Sequence, residues 1–199
     1  MIIMLSVVIY FLSSKKSSVA KRGSVRSLLA IGDSNTNANF SYVDQLRQRF
    51  PGLIVKKIAQ DGANSSWMKS QLEQELQNNK YDVISLLGGS NDVYGGVNIG
   101  LTKYNLDAMY RLAHIKGSKV LAITPPNKDF YTQKTDQKQV ALHELVDWIK
   151  GNKNVDFLID FYTITNNKSF FNSNDGYLHP QAGAHSILAQ QVAQKLNLA

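Results

Sequence analysis

The stretch Ser27-Leu28-Leu29-Ala30-Ile31-Gly32-Asp33-Ser34 decides the fold and points to the chemistry. Four apolar residues in a row, closed by the turn pair Gly32-Asp33, read as a buried strand with a sharp exit. Ser34 stands at that exit. Open α/β sheets place their ligand crevices beyond the carboxyl ends of their strands. A serine hydroxyl is a weak nucleophile until a base activates it. Taken alone, a serine after a strand is a turn residue. A functional reading therefore requires a base and oxyanion donors from elsewhere in the chain.

Strand-like runs recur at 53–59, 81–87, 119–124 and 155–162, and helix-like stretches alternate with them. Residues 41–50 carry Ser41 as a candidate cap, Asp44 three residues on, and a stop at Pro51-Gly52. Residues 66–79 place Trp67, Leu72 and Leu76 on one face. The stretches 101–115 and 136–150 end before Gly117 and Gly151, and 181–196 is the last helix. Five apolar strands alternating with helices specify a three-layer α/β/α fold around a five-stranded parallel sheet, with right-handed crossovers.

The sequence divides into a segment 1–26 and a domain 27–199. The domain is long enough to bury a proper core. The whole chain of 199 residues carries a formal charge of +7, but Lys15, Lys16, Lys21, Arg22 and Arg26 all precede the domain. Without those five, 17 basic residues face 15 acids, which argues against a nucleic-acid footprint. The apolar run 1–12 spans about 18 Å as a helix, short of the roughly 30 Å hydrocarbon core. It also lacks the basic start and the cleavage site of a signal peptide. Five cations beside an apolar run nevertheless make a membrane-surface pattern. Residues 1–16 are therefore expected to contact a membrane, and a membrane-anchored or exported protein is favoured over a cytoplasmic one. The chain has no cysteine, so disulfides and thiolate metal sites are excluded. No histidine pair at ligand spacing, carboxylate cluster or phosphate-binding glycine motif occurs, so neither metal nor nucleotide cofactor is expected.

Three loops fall on the same edge of the sheet as Ser34. Gln60-Asp61-Gly62-Ala63-Asn64-Ser65 follows the second strand, and Gly62 brings a backbone N–H to a ligand with no side chain in the way. Gly88-Gly89-Ser90-Asn91-Asp92 follows the third, where Asn91 offers an amide donor. Asp175-Gly176-Tyr177-Leu178-His179-Pro180 precedes the last helix. Together they supply a nucleophile (Ser34), a base (His179), a candidate orienting acid (Asp175), and three oxyanion donors in the N–H groups of Ser34 and Gly62 and the Asn91 amide. Asp33 and Asp92 read as loop-holding residues. Asp160 reads as a strand-end residue and the reserve acid. Tyr94 and Tyr177 flank the site, as walls of a substrate groove or as covers of core edges. His114, His143 and His185 lie on helices and read as structural or exposed.

These blocks resemble those of the SGNH (GDSL-type) hydrolase superfamily: Gly32-Asp33-Ser34-Asn35, then Gly62, then Gly89-Ser90-Asn91-Asp92, then His179-Pro180, in that order over about residues 27–197. The resemblance implies a flavodoxin-like sheet and hydrolysis of esters, commonly acetyl groups on sugars or acyl groups on lipids. It also exposes a departure. The family usually places its aspartate three residues before the histidine, where this chain has Gly176. Either a one-residue bulge aims Asp175 at His179, or a backbone carbonyl orients the ring and the pair works as a dyad. The expected activity is a cofactor-free serine esterase on a small-molecule or carbohydrate ester, with an acetylesterase of a polysaccharide or peptidoglycan preferred. A lysophospholipase or thioesterase, an acyltransferase and a non-catalytic carbohydrate-binding module are the alternatives.

Overall fold

The computed structural model describes residues 25–198, so the expectations for the apolar segment and most of the basic linker lie outside the described residues. Five strands form one sheet: β1 (Ser27–Gly32), β2 (Ile54–Ala59), β3 (Val83–Leu87), β4 (Lys119–Ile123) and β5 (Phe157–Ile159). The spatial order is β2-β1-β3-β4-β5, with every pairing parallel. The carboxyl ends of all five strands therefore share one edge.

Strand side chains alternate between faces, and here both faces are apolar. Leu29 and Ile31 of β1, Ile84 and Leu86 of β3, and Val120 and Ala122 of β4 join one core. Helices α3 (Ser65–Asn78), α5 (Ile99–Ile115) and α6 (Asp136–Gly151) cover it with Met68, Leu72, Met109, Leu142 and Leu145. The alternate residues Leu28, Ala30, Val83, Leu87, Leu121 and Ile123 join the second core. Helices α2 (Tyr42–Arg49) and α8 (Ala182–Leu196) cover that one with Tyr42, Leu46, Leu188 and Val192. The result is the three-layer α/β/α arrangement read from the sequence. No described helix is long and apolar enough to cross a membrane.

Two local expectations change. The fifth strand is three residues long, not the run 155–162. Asp160 ends it: its side chain accepts from the Thr163 amide and caps a short helix α7 (Phe161–Ile164), while Lys150 pairs with it at 2.6 Å. Ser41 does not cap α2 through its side chain. Its hydroxyl donates to Asp44 Oδ2 at 2.8 Å, and Asp44 is also held by Lys57 at 2.8 Å.

Candidate active site

Ser34 opens a four-residue helix α1 (Ser34–Asn37) directly after β1. Asp33 caps that helix. Its Oδ1 accepts from the Asn35 amide and from Asn35 Nδ2, both at 2.9 Å. Asp33 is buried, and burial pushes its carboxyl above the ordinary range. The two bonds from Asn35 and the charges of Lys128 and His179 oppose that shift. The cap fixes the turn, and the turn aims the serine.

Ser34 Oγ lies 3.0 Å from His179 Nε2, across 145 residues of sequence. On the far side of the ring, His179 Nδ1 lies 2.8 Å from Asp175 Oδ2. An ionised carboxylate only accepts hydrogen bonds, so Nδ1 carries the proton. Nε2 is then a bare lone pair facing the serine hydroxyl.

The loop that carries Asp175 and His179 absorbs the extra residue in a definite way. Gly176 and Tyr177 are both left-handed, at φ +70° and +64°. Two such residues in succession curl the backbone. The carboxylate then receives the Leu178 and His179 amides, at 3.0 and 3.2 Å, besides the ring. Glycine suits the first position because a Cβ there would strike Thr132 Oγ1 at 2.5 Å. Tyr177 bears its strain and lies under Lys168, whose Nζ is 4.2 Å from the ring centroid. Main-chain bonds hold the loop against the preceding segment: Asn172 N to His179 O at 3.1 Å and Gln181 N to Phe170 O at 2.7 Å.

The donor loops follow β2 and β3, the two neighbours of β1 in the sheet. Gly62 is left-handed at φ +73°. A side chain there would be strained, so glycine is the residue that presents this amide. Asn91 lies in a short helix α4 (Ser90–Tyr94). Its Nδ2 donates to the Ala63 carbonyl at 2.9 Å, which orients the amide and leaves its second hydrogen. Asp92 binds the two loops together. It is buried, and it accepts from the Ser65 amide at 2.8 Å and the Ser65 hydroxyl at 2.5 Å. Chemically, this edge of the sheet offers a hydroxyl with its base in contact, beside loops rich in N–H donors.

A cavity of about 270 Å³ opens beside Ser34, with Asn35, Phe40, Asp61, Asn172 and His179 in its wall. His185 also reaches it. That ring is buried between Phe40 and Phe161, and burial pushes its pKa down to about 4, so it stays neutral at neutral pH. Tyr94 and Tyr177 are not among the lining residues. Tyr94 instead packs edge-on against Tyr131, at 5.4 Å between centroids. Among the described residues no cluster of three or more histidines and carboxylates is placed to hold a metal ion.

Sequence reasoning passed over Lys128. It follows Pro125-Pro126-Asn127 in the loop after β4, where a lysine reads as solvated. In the structure it is 2% exposed and donates to the Leu178 carbonyl, next to His179. Its only sequence signal is its place on the same edge as Ser34.

Comparison with known proteins agrees with the fold. The model of the GDSL-like Lipase/Acylhydrolase family matches residues 30–187, most of the chain. No curated protein matches the sequence. Solved structures share the fold. One is a G-D-S-L family lipolytic protein from Veillonella parvula, with TM-score 0.72 and 19% identity over 85% of this chain and 97% of that one. Another is TesA, with TM-score 0.69 and 20% identity over 86% and 98%. A third is a catalytic mutant of an acetylxylan esterase from Geobacillus stearothermophilus, with TM-score 0.70 and 19% identity over 89% and 96%. The chain belongs to the GDSL-like Lipase/Acylhydrolase family and is a serine hydrolase of carboxylic esters.

Proposed function

We propose that Ser34 is the nucleophile, His179 the general base and acid, and Asp175 the group that orients His179. The observation that carries this reading is the unbroken chain from Ser34 Oγ to His179 Nε2 at 3.0 Å and from His179 Nδ1 to Asp175 at 2.8 Å. His179 takes the hydroxyl proton as Oγ attacks the acyl carbonyl. The Ser34 and Gly62 amides and the Asn91 side chain hold the oxyanion. The bond to the alcohol oxygen breaks, His179 protonates the departing alkoxide, and an acyl-Ser34 ester remains. Water, deprotonated by His179, then releases the acid and restores the hydroxyl.

Asp175→Asn tests the orienting role. It is expected to lower kcat by about 10³- to 10⁴-fold with little change in KM, because the neutral amide favours the wrong tautomer and stabilises the imidazolium less. Turnover within threefold of wild type gives the role to a backbone carbonyl and leaves a dyad.

The substrate we infer is an acetyl ester on a polysaccharide or peptidoglycan. The cavity's small volume suits a short acyl group, and Asp61 and Asn172 in its wall suit the hydroxyls of a sugar. The basic, apolar N-terminal sequence fits work at a cell envelope. A series of p-nitrophenyl esters from acetate to palmitate checks the acyl length. The expected order of kcat/KM has acetate first, falling at least tenfold by octanoate. A long-chain optimum transfers the assignment to a lysophospholipase or thioesterase.

A further inference from the structure

We propose that Lys128 is a positioning residue of this site: its buried ammonium holds the Leu178 carbonyl in the loop 175–179, which sets the placement of His179 against Ser34. The inference rests on the catalytic reading of Ser34 and His179 given above.

Lys128 is 2% exposed, and a lysine is almost never that buried without a partner. The hydrogen bond it makes goes to a neutral acceptor, the Leu178 carbonyl. The charges that compensate it are Asp33 in the turn before α1 and Asp175 in the histidine loop. Burial pushes the Lys128 ammonium down to about 8, and the two carboxylates pull the other way.

The backbone around Lys128 is fixed. Its carbonyl accepts from Gln139 Nε2 of α6 at 2.7 Å, and the Asn127 amide before it donates to Thr165 Oγ1 at 2.9 Å. Four residues further on, the Thr132 amide donates to the Gly176 carbonyl at 3.0 Å. The loop after β4 is therefore a brace for the two left-handed residues that bring Asp175 back to His179. It is anchored to α6 on one side and to the chain after α7 on the other.

The test is p-nitrophenyl acetate hydrolysis by wild type, Lys128→Met, Lys128→Gln and Lys128→Arg across pH 5 to 9, with near-UV circular dichroism to select folded protein. Lys128→Met is expected to lose about 10²-fold in kcat and to change KM by less than about threefold. Lys128→Gln keeps an N–H donor for Leu178 and should recover part of the lost kcat, and Lys128→Arg, a donor of the same charge, should recover more of it. A folded Met variant whose kcat stays within about threefold of wild type overturns the proposal, as does a loss that falls on KM instead of kcat. If the Met variant does not fold, Gln against wild type decides: an undiminished kcat overturns the proposal. Failure of the underlying catalytic reading looks different: it appears as retained activity in Ser34→Ala, whatever residue 128 does.

Discussion

Ser34→Ala is expected to lower kcat for ester hydrolysis by at least about 10⁴-fold, with the fold intact. The expectation is large because neither serine of the two donor loops can stand in. Ser65 is spent on Asp92, donating at 2.5 Å, and Ser90 Oγ is buried in the helix that carries Asn91. The fold should be indifferent. The Ser34 side chain makes one hydrogen bond, to His179, and a single part-buried bond contributes about 1 kcal/mol. Oxyanion donors and substrate binding survive in the variant, so a residue of catalysis over water remains. A kcat within tenfold of wild type means that the attacking group is elsewhere.

His179→Ala should cost a similar factor, about 10⁴-fold or more in kcat. An unassisted serine hydroxyl barely ionises near neutral pH, and no other histidine is placed to help. His185 is the nearest in the cavity wall, but its ring is packed between Phe40 and Phe161, and burial disfavours the imidazolium it would have to become. His114 is engaged by Asp156 at 2.7 Å and His143 by the Tyr162 hydroxyl at 2.6 Å. Loss of the imidazole should not unfold its loop, because the Asn172–His179 and Phe170–Gln181 bonds are main-chain bonds. The variant should therefore melt within a few degrees of wild type while its activity collapses. Activity and melting temperature falling together would mark His179 as structural.

Most of the architecture was legible because its causes are local. A strand buried on both faces needs consecutive apolar residues, and β1, β3 and β4 consist of little else. The helices between them have polar caps or glycine stops. The fifth strand was misjudged because its apolar run continues through Phe161 and Tyr162. Only the Asp160 side chain, turned back to Thr163, converts that continuation into a helix.

The meeting of Ser34 and His179 was legible for a related reason. One follows a strand and the other precedes a helix on one edge, so topology brings their side chains to 3.0 Å. The link from Asp175 to His179 was only half legible. Gly176 signals a left-handed residue, but nothing in the sequence marks Tyr177 as a second one, and the pair is what closes the gap. Lys128 was not legible at all. Its burial is created by the loop 175–179 folding over it, about fifty residues downstream, and a lysine after two prolines carries no trace of that. Tyr94 and Tyr177 attracted notice as neighbours in sequence of site residues. The structure gives their rings other partners, in Tyr131 and Lys168.

The proposed role of Ser34 is that of the nucleophile activated by His179. Its most direct test is labelling with a fluorophosphonate, which reacts only with an activated serine, followed by peptide mass spectrometry on wild type and Ser34→Ala. One adduct per wild-type chain is expected, on the peptide containing Ser34, and none in the variant. Undiminished labelling of Ser34→Ala, or no labelling of folded wild type, would contradict it.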